Sequence, residues 1–83
     1  MFRFKICGIT SVDDARMVVS AGADAIGLNF YSGSKRYCAA DTALQIVAAL
    51  PPGVCKVGVF VNASGDEIRE TARRLSLNLA QLH

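Results

Sequence analysis

The stretch Val54–Val61, VCKVGVFV, is the most strand-like segment of the 83-residue chain. Its valines at alternate positions are β-branched, and branched side chains favour the extended, pleated conformation. The preceding range Pro51–Gly53 stops a helix. After the stretch, Ser64 and Glu67 stand at capping-box spacing and predict the start of another helix. The stretch is therefore interpreted as a strand between two helices.

The same alternation extends through the rest of the chain. Apolar residues three and four positions apart predict helices from a Ser11 cap to Gly22, over 40–50, and after a Ser64 cap. Strands are predicted over 2–7, 25–30, 54–61 and 77–83. The resulting order, βαβαβαβ, is typical of a parallel sheet with right-handed crossovers.

Two architectures fit this order, an open doubly wound sheet and the front of a (β/α)8 barrel. A buried strand of an open parallel sheet is apolar on both faces. Here Lys5 and Cys7 share one face of the first strand, Gly27 and Asn29 one face of the second, and Gln81 and His83 one face of the fourth. Polar faces at the carboxyl ends of strands favour a barrel whose mouth holds the chemistry.

The charge balance argues against nucleic acid as a partner. Nine Lys and Arg residues against seven Asp and Glu residues give a net charge of only +2. The arginines of the third helix are expected to form a solvated face, on which Glu70 pairs with Arg74. A small anionic substrate needs only one or two well-placed cations and is compatible with this charge.

No membrane span or secretory leader is expected from the sequence. No apolar run approaches the roughly 20 residues of a bilayer span, and residues 1–5 lack the pattern of a signal peptide. The three cysteines, Cys7, Cys38 and Cys55, are odd in number and form no C-x-x-C pair. A reduced, cytoplasmic location is therefore expected, and no spacing typical of a metal or cofactor site is present.

Cys7 is the first candidate for chemistry, because it ends the first strand, where the catalytic end of a barrel lies. A thiol there serves as a general base if its pKa is lowered, and Lys5 on the same face would supply part of the positive field. The alternative is a buried, inert thiol that only packs. Cys38 and Cys55 are expected to be structural.

Arg36 is the second candidate. It stands beside Lys35 in the loop 31–37, and its guanidinium suits two-point binding of a carboxylate or phosphate. The alternative is an exposed basic loop. Gln81 and His83 would point into the mouth of a barrel, although a lone histidine is more often structural.

Five segments occur in order, with the spacing of one enzyme family: Lys5–Thr10 (KICGIT), Gly22–Phe30 (GADAIGLNF), Ser34–Arg36 (SKR), Val57–Asn62 (VGVFVN) and Ala80–His83 (AQLH). Together they resemble phosphoribosylanthranilate isomerase. The third segment corresponds to the family's Ser-Pro-Arg loop and the last to the start of its Gln-Leu-His-Gly motif. The resemblance covers the whole chain.

The resemblance implies a (β/α)8 barrel enzyme of tryptophan biosynthesis that needs no cofactor. It would convert N-(5-phosphoribosyl)anthranilate to 1-(2-carboxyphenylamino)-1-deoxyribulose 5-phosphate by an Amadori rearrangement. By the family pattern, Cys7 would be the general base that takes the proton from sugar C2. Arg36 would hold the anthranilate carboxylate, and Gln81 and His83 would line the pocket. A ring-opened iminium makes the C2 proton acidic, so one base and one acid suffice.

Two features depart from the family pattern. Lys35 replaces the family's proline, which is expected to loosen the loop. The family has about 200 residues, near the lower end for such barrels, so this chain covers strands one to four and helices one to three. The family's general acid, an aspartate after a later strand, and its phosphate site in the last loops have no match here.

We therefore expect residues 1–83 to be the N-terminal portion of a single, truncated barrel domain, inactive by itself. A complementary C-terminal half or a second copy would cover its open sheet edges. The alternative is a non-catalytic half-barrel that only folds or assembles with a complementary half. Another phosphosugar barrel is disfavoured, because a cysteine base on the first strand is peculiar to this family.

Overall fold

The computed structural model describes residues 4–82 as one parallel sheet of four strands with three intervening helices. The elements are β1 (Lys5–Ile6), α1 (Val12–Ser20), β2 (Ala25–Asn29), α2 (Ala40–Ala49), β3 (Cys55–Phe60), α3 (Gly65–Leu75) and β4 (Leu79–Leu82). The strands lie in the order β1-β2-β3-β4, and all neighbours are parallel. The predicted order of elements and the parallel sheet are confirmed. Positions 2, 3 and 83 of the predicted strands lie outside the described residues.

Most predicted boundaries differ from the structure by one or two residues, and two of these differences have clear local reasons. Helix α2 ends one residue before Leu50, because a residue that precedes proline is driven to extended backbone, and Leu50 has a ψ of 141°. Strand β4 begins two residues later than predicted. The reason is that the Leu77 N–H donates to the Ala72 carbonyl oxygen at 3.0 Å and so completes the end of α3.

Serine hydroxyls cap two of the helices, as the sequence predicts. The Ser11 Oγ accepts a hydrogen bond from the Asp14 N–H at 3.1 Å, and the Ser64 Oγ accepts one from the Glu67 N–H at 3.1 Å. Each cap satisfies a backbone donor that the helix leaves unpaired and stabilises the fold by about 1 kcal/mol. The caps fix where α1 and α3 begin, and hence where the chain leaves the carboxyl ends of β1 and β3.

The core lies between the sheet and the helices. Ile26 and Leu28 of β2 pack with residues of all three helices, among them Ala15 of α1, Ile46 of α2 and Leu75 of α3. All five are at most 2% exposed. The even-numbered positions of β2 therefore face the helices, and the odd-numbered positions face the other side of the sheet.

The other side of the sheet, the odd-numbered face, carries the residues that sequence analysis singled out. Its registered rows run through Lys5–Ala25–Cys55, Gly27–Val57–Leu79 and Asn29–Val59–Gln81. No helix of the described residues packs on this face, and Leu79 is half exposed there. Residues 4–82 enclose no cavity on this face, although Ala25 and Val57 at its centre are fully buried. None of the helices in that part of the chain is long and apolar enough to span a bilayer.

Helix α3 presents its arginines to solvent, as predicted, but the predicted Glu70–Arg74 pair is wrong. Glu70 instead pairs with Arg73, three residues along the same helix, and Asp66 pairs with Arg69 at the same spacing. Residues three and four positions apart are both neighbours on a helix surface, so Glu70 can pair with Arg73 in place of Arg74. The hydrogen bond with Glu70, together with its charge, raises the pKa of Arg73. Exposed pairs of this kind contribute little stability.

Candidate functional site

Cys7 lies directly after β1, at the carboxyl edge of the sheet, and its side chain is exposed. It neighbours Gly27 on β2, the next position in the register that pairs Ile6 with Ile26. The thiol is therefore accessible from the odd-numbered face. Within residues 4–82 the thiol is therefore not buried in the core.

Gly8 turns the chain immediately after Cys7. Its φ of +82° lies in the left-handed region, which glycine adopts without steric cost. The Gly8 and Ile9 N–H groups both donate to the Gly27 carbonyl oxygen, at 3.1 and 3.2 Å. Ile9 is only 4% exposed and anchors the turn in the core. The backbone around Cys7 is thus held on both sides of the turn.

Arg36 reaches back to this turn from the loop after β2. A Cβ placed on Gly8 would lie 2.5 Å from Arg36 Cδ and 2.8 Å from Nη1, so the guanidinium arm occupies the space that a side chain at position 8 would fill. Arg36 is exposed, as a basic loop predicts, yet its side chain packs beside the residue that follows Cys7. The structure therefore places the Arg36 side chain beside Gly8, the residue that directly follows Cys7.

Asn29 and Ser34 order the loop that carries Arg36. The Asn29 Oδ1 accepts a hydrogen bond from the Tyr31 N–H at 2.8 Å, and the Asn29 Nδ2 lies 3.4 Å from the Ser34 Oγ. The same Ser34 Oγ accepts from the Arg36 N–H at 3.0 Å. The Ser34 carbonyl oxygen accepts from the Tyr37 N–H at 3.2 Å and closes a turn around Lys35. Side-chain hydrogen bonds thus replace the rigidity that a proline would give this loop.

The structuring role of Asn29 and Ser34 was missed in the sequence analysis. An asparagine at the end of a strand, two residues before a polar loop, is a signal for an Asx turn. The contact between the Asn29 and Ser34 side chains depends on how the loop 31–37 folds back toward β2. Sequence spacing alone does not specify the path of that loop.

Lys5 and Gln81 face the same side as Cys7 but do not form one cluster with it. Lys5 is half-buried opposite Ala25, one row nearer the amino end of the sheet. Gln81 is exposed on β4, in the row of Asn29. Three strand spacings of roughly 4.8 Å separate β1 from β4, about 14 Å. Gln81 thus stands on the opposite edge strand of the sheet from β1, and His83 lies outside the described residues.

The other two cysteines lie away from this edge. Cys38 is 2% exposed in the core, its thiol directed at the Ala39 carbonyl oxygen at 3.7 Å. Burial raises the pKa of Cys38, which disfavours the reactive thiolate. Cys55 is half-buried at the start of β3, the amino end of the sheet. Within residues 4–82, no group of three or more His, Cys, Asp or Glu side chains is arranged to hold a metal ion.

The chemical capacity of this edge follows from its two principal groups. An accessible thiol can accept a proton once ionised, and a neighbouring guanidinium can bind a carboxylate through two parallel hydrogen bonds. The arrangement suits proton abstraction from an anionic small molecule.

Comparisons with known proteins show which family the chain is similar to. A family model described as N-(5'phosphoribosyl)anthranilate (PRA) isomerase matches residues 4–83. A relative of that name from Chlorobaculum parvum is 53% identical over the whole chain, and one from Thermotoga maritima is 49% identical. The chain spans 38% and 40% of the lengths of these two relatives.

Solved structures match the fold as closely. The phosphoribosyl anthranilate isomerase of Thermotoga maritima superimposes with a TM-score of 0.94 at 49% identity, covering the whole of this chain and 40% of that one. A phosphoribosyl anthranilate isomerase in complex with reduced 1-(o-carboxyphenylamino)-1-deoxyribulose 5-phosphate also matches with a TM-score of 0.94, and the chain covers 43% of it. The four strands and three helices are those of a (β/α)8 barrel of this family. The chain belongs to the N-(5'-phosphoribosyl)anthranilate isomerase family.

Proposed function

We propose that this chain supplies the base and the carboxylate-binding loop of a phosphoribosylanthranilate isomerase of tryptophan biosynthesis. The proposal is carried by one observation: the exposed Cys7 is followed directly by Gly8, beside which the Arg36 side chain packs. The reaction is the Amadori rearrangement of N-(5-phosphoribosyl)anthranilate to 1-(2-carboxyphenylamino)-1-deoxyribulose 5-phosphate. C2 is oxidised while C1 of the same molecule is reduced, so the reaction has no net redox change and needs no redox cofactor.

The proton transfer is the step assigned to Cys7. Opening of the ribose ring gives an iminium at C1, which acidifies the proton on C2. The Cys7 thiolate takes this proton and leaves an enolamine, and return of a proton to C1 with loss of the hydroxyl proton at C2 gives the ketone. A positioned general base of this kind contributes about 100- to 10,000-fold to the rate.

The remaining candidate residues act on binding. Arg36 pairs with the anthranilate carboxylate, and Lys5 adds positive charge on the same face. Gln81 lines the pocket from β4, and His83 is a further pocket residue by the family pattern. The exposure of Gln81 leaves its amide free to meet a ligand.

We further propose that residues 1–83 form the N-terminal portion of one barrel domain. The chain spans about two-fifths of the relatives' length, and the edges β1 and β4 each pair with one neighbour only within residues 4–82. The general acid and the phosphate site then come from a complementary half, because a second copy of the same residues would still lack both. One matching structure is titled as monomers of a dimeric enzyme, which supports an oligomer as a partner arrangement. Three free cysteines suit a reducing cytoplasm.

A second candidate function is a non-catalytic half-barrel that only assembles with a complementary half. The exposed apolar residues of β4 favour it, because Leu79 is 50% and Leu82 is 66% exposed. The two candidates differ in whether Cys7 and Arg36 act on a substrate after assembly.

A hybrid protein tests the proposal. In this hybrid, residues 1–83 of the chain replace the matching segment of the Thermotoga maritima relative. We expect the hybrid to consume phosphoribosylanthranilate, and the loss of substrate fluorescence measures this consumption. The isolated chain should not consume it. Arg36→Ala should raise KM about 10- to 100-fold, as expected for loss of a charge-assisted bond. Arg69→Ala, which removes an exposed arginine of α3, should leave KM within about twofold. A folded but inactive hybrid would favour the non-catalytic half-barrel instead.

A further inference from the structure

Gly27 lies in β2 directly beside Cys7, and its missing side chain is the space in which the thiol sits. A Cβ placed on Gly27 would lie 2.9 Å from Cys7 Sγ, 3.2 Å from Cys7 Cα and 3.3 Å from Cys7 Cβ. The first of these distances is shorter than any relaxed carbon–sulfur contact. The second is to backbone, which has no rotamer with which to escape. Any other residue at position 27 therefore has to displace the thiol or the strand that carries it.

The backbone of Gly27 holds the same cysteine from a second direction. Its carbonyl oxygen accepts the N–H groups of both Gly8 and Ile9, at 3.1 and 3.2 Å. These two residues form the turn that begins at Cys7. One residue thus provides both the space for the thiol and the anchor of the turn that aims it.

We propose that Gly27 is the positioning residue of Cys7, setting where the thiol stands at the carboxyl edge of the sheet. The inference rests on the proposed function, because a position matters to catalysis only if Cys7 takes the proton. A base must lie within hydrogen-bond reach of the proton that it removes, and misplacement by 1 Å costs on the order of 100-fold in rate.

Gly58 offers a matched control on the other side of the sheet. A Cβ on Gly58 would meet Leu77 Cδ1 at 2.7 Å and the rings of Phe60 and Phe30 at 2.9 and 3.2 Å. These two rings stack with centroids 5.3 Å apart. A methyl group at position 58 therefore crowds the helix-facing side, and it leaves the surroundings of Cys7 unchanged.

The first test measures the thiol and requires no turnover. Iodoacetamide alkylation of Cys7 is followed by peptide mass mapping across pH in the chain itself, in Gly27→Ala and in Gly58→Ala. We expect Gly27→Ala to change the Cys7 rate about fivefold or more and to move the midpoint of its pH profile, since thiol reactivity follows its surroundings. Gly58→Ala should leave both within about twofold. Equal Cys7 profiles in all three proteins would overturn the proposal.

The second test measures kinetics in the hybrid protein. Gly27→Ala should lower kcat about 10- to 100-fold with little change in KM, because the base is displaced while the binding groups stay. A lower kcat without any change in Cys7 alkylation would overturn the positioning role. Altered alkylation with an unchanged kcat would instead support the positioning role and overturn the role of Cys7 as base. The two failures are thereby distinguished.

A rescue experiment covers the case in which Gly27→Ala does not fold. Cys7→Ala removes the sulfur, the closest atom to the new methyl group, and leaves the contacts to Cys7 Cα and Cβ in place. The double variant should therefore unfold at a higher urea concentration than Gly27→Ala alone. A double variant no more stable than Gly27→Ala would overturn the proposal, because the thiol would then contribute nothing to the crowding.

Discussion

Replacement of Asn29 by alanine tests how the loop that carries Arg36 is held. The change removes the acceptor of the Tyr31 N–H, at 2.8 Å, and the donor that lies 3.4 Å from the Ser34 Oγ. The Tyr31 amide then needs another partner, and Ser34 loses its link to the sheet. Arg36 depends on that link, because its own N–H donates to the Ser34 hydroxyl.

The expected cost follows from these two hydrogen bonds. A hydrogen bond contributes about 0.5 to 1.5 kcal/mol net, and the 3.4 Å contact belongs at the low end of that range. Asn29→Ala should therefore lower the free energy of unfolding by about 1 to 2 kcal/mol, as measured by urea denaturation. Asn78→Ala is the matched control. Its Oδ1 accepts the Lys56 N–H at 2.7 Å at the amino end of the sheet, so its loss should cost about 1 kcal/mol.

Amide hydrogen exchange distinguishes Asn29→Ala from Asn78→Ala, whose free energies of unfolding are expected to be similar. In Asn29→Ala, exchange of the Arg36 and Tyr37 amides should rise about tenfold or more, because the loop opens locally. In Asn78→Ala, the same amides should change only in proportion to global stability. Equal protection of these amides in both variants would refute the view that Asn29 holds the Arg36 loop.

Three further predictions concern stability and thiol chemistry. Ser76 has a φ of 52°, in the left-handed region that glycine adopts more easily. Ser76→Gly should therefore raise the free energy of unfolding in urea by about 0.5 to 1 kcal/mol. The control Ser20→Gly, at the end of α1, should lower it by about 0.5 kcal/mol. Lys35 is the second residue of a turn, and its N–H makes no hydrogen bond within residues 4–82. Lys35→Pro should therefore raise the free energy of unfolding by about 0.4 to 1 kcal/mol. A lower free energy of unfolding would contradict this turn geometry. Burial raises the pKa of Cys38 above that of the thiol in the unfolded chain. The contribution of Cys38 to the free energy of unfolding should therefore be fully present below the unfolded-state pKa. It should be lost as pH rises through the higher folded-state pKa. Urea unfolding from neutral to alkaline pH should show this loss in the parent chain and less of it in Cys38→Ala, and iodoacetamide should modify Cys7 well before Cys38.

Much of the fold could be predicted from the sequence because its signals are local. The Ser11 and Ser64 caps and the apolar spacing on the helices all act over a few residues. The boundary at Leu50 follows from the proline after it, a rule that the sequence also contains. The start of β4 after Leu77 was harder to predict from the sequence. Glycine usually occupies the left-handed position that ends a helix, and here Ser76 occupies it.

The candidate site was only partly accessible from the sequence. Spacing and parity place Cys7 at a strand end, facing away from the helices, and the structure agrees. The contact between Arg36 and Gly8 depends on how the loop folds back over the sheet, which residue spacing does not encode. The close approach of Gly27 to Cys7 depends on strand register. A glycine in a strand only signals that something approaches closely, without saying what.

The most direct test of the account is the kcat of the hybrid protein with and without the Cys7 thiol. Cys7→Ala should lower kcat for phosphoribosylanthranilate by about 100-fold or more with KM nearly unchanged, because the proton acceptor is lost while the binding groups remain. Cys38→Ala, which removes the buried thiol, should leave kcat within about threefold. A Cys7→Ala hybrid that turns over as fast as the Cys38→Ala hybrid would contradict the central claim that Cys7 is the general base.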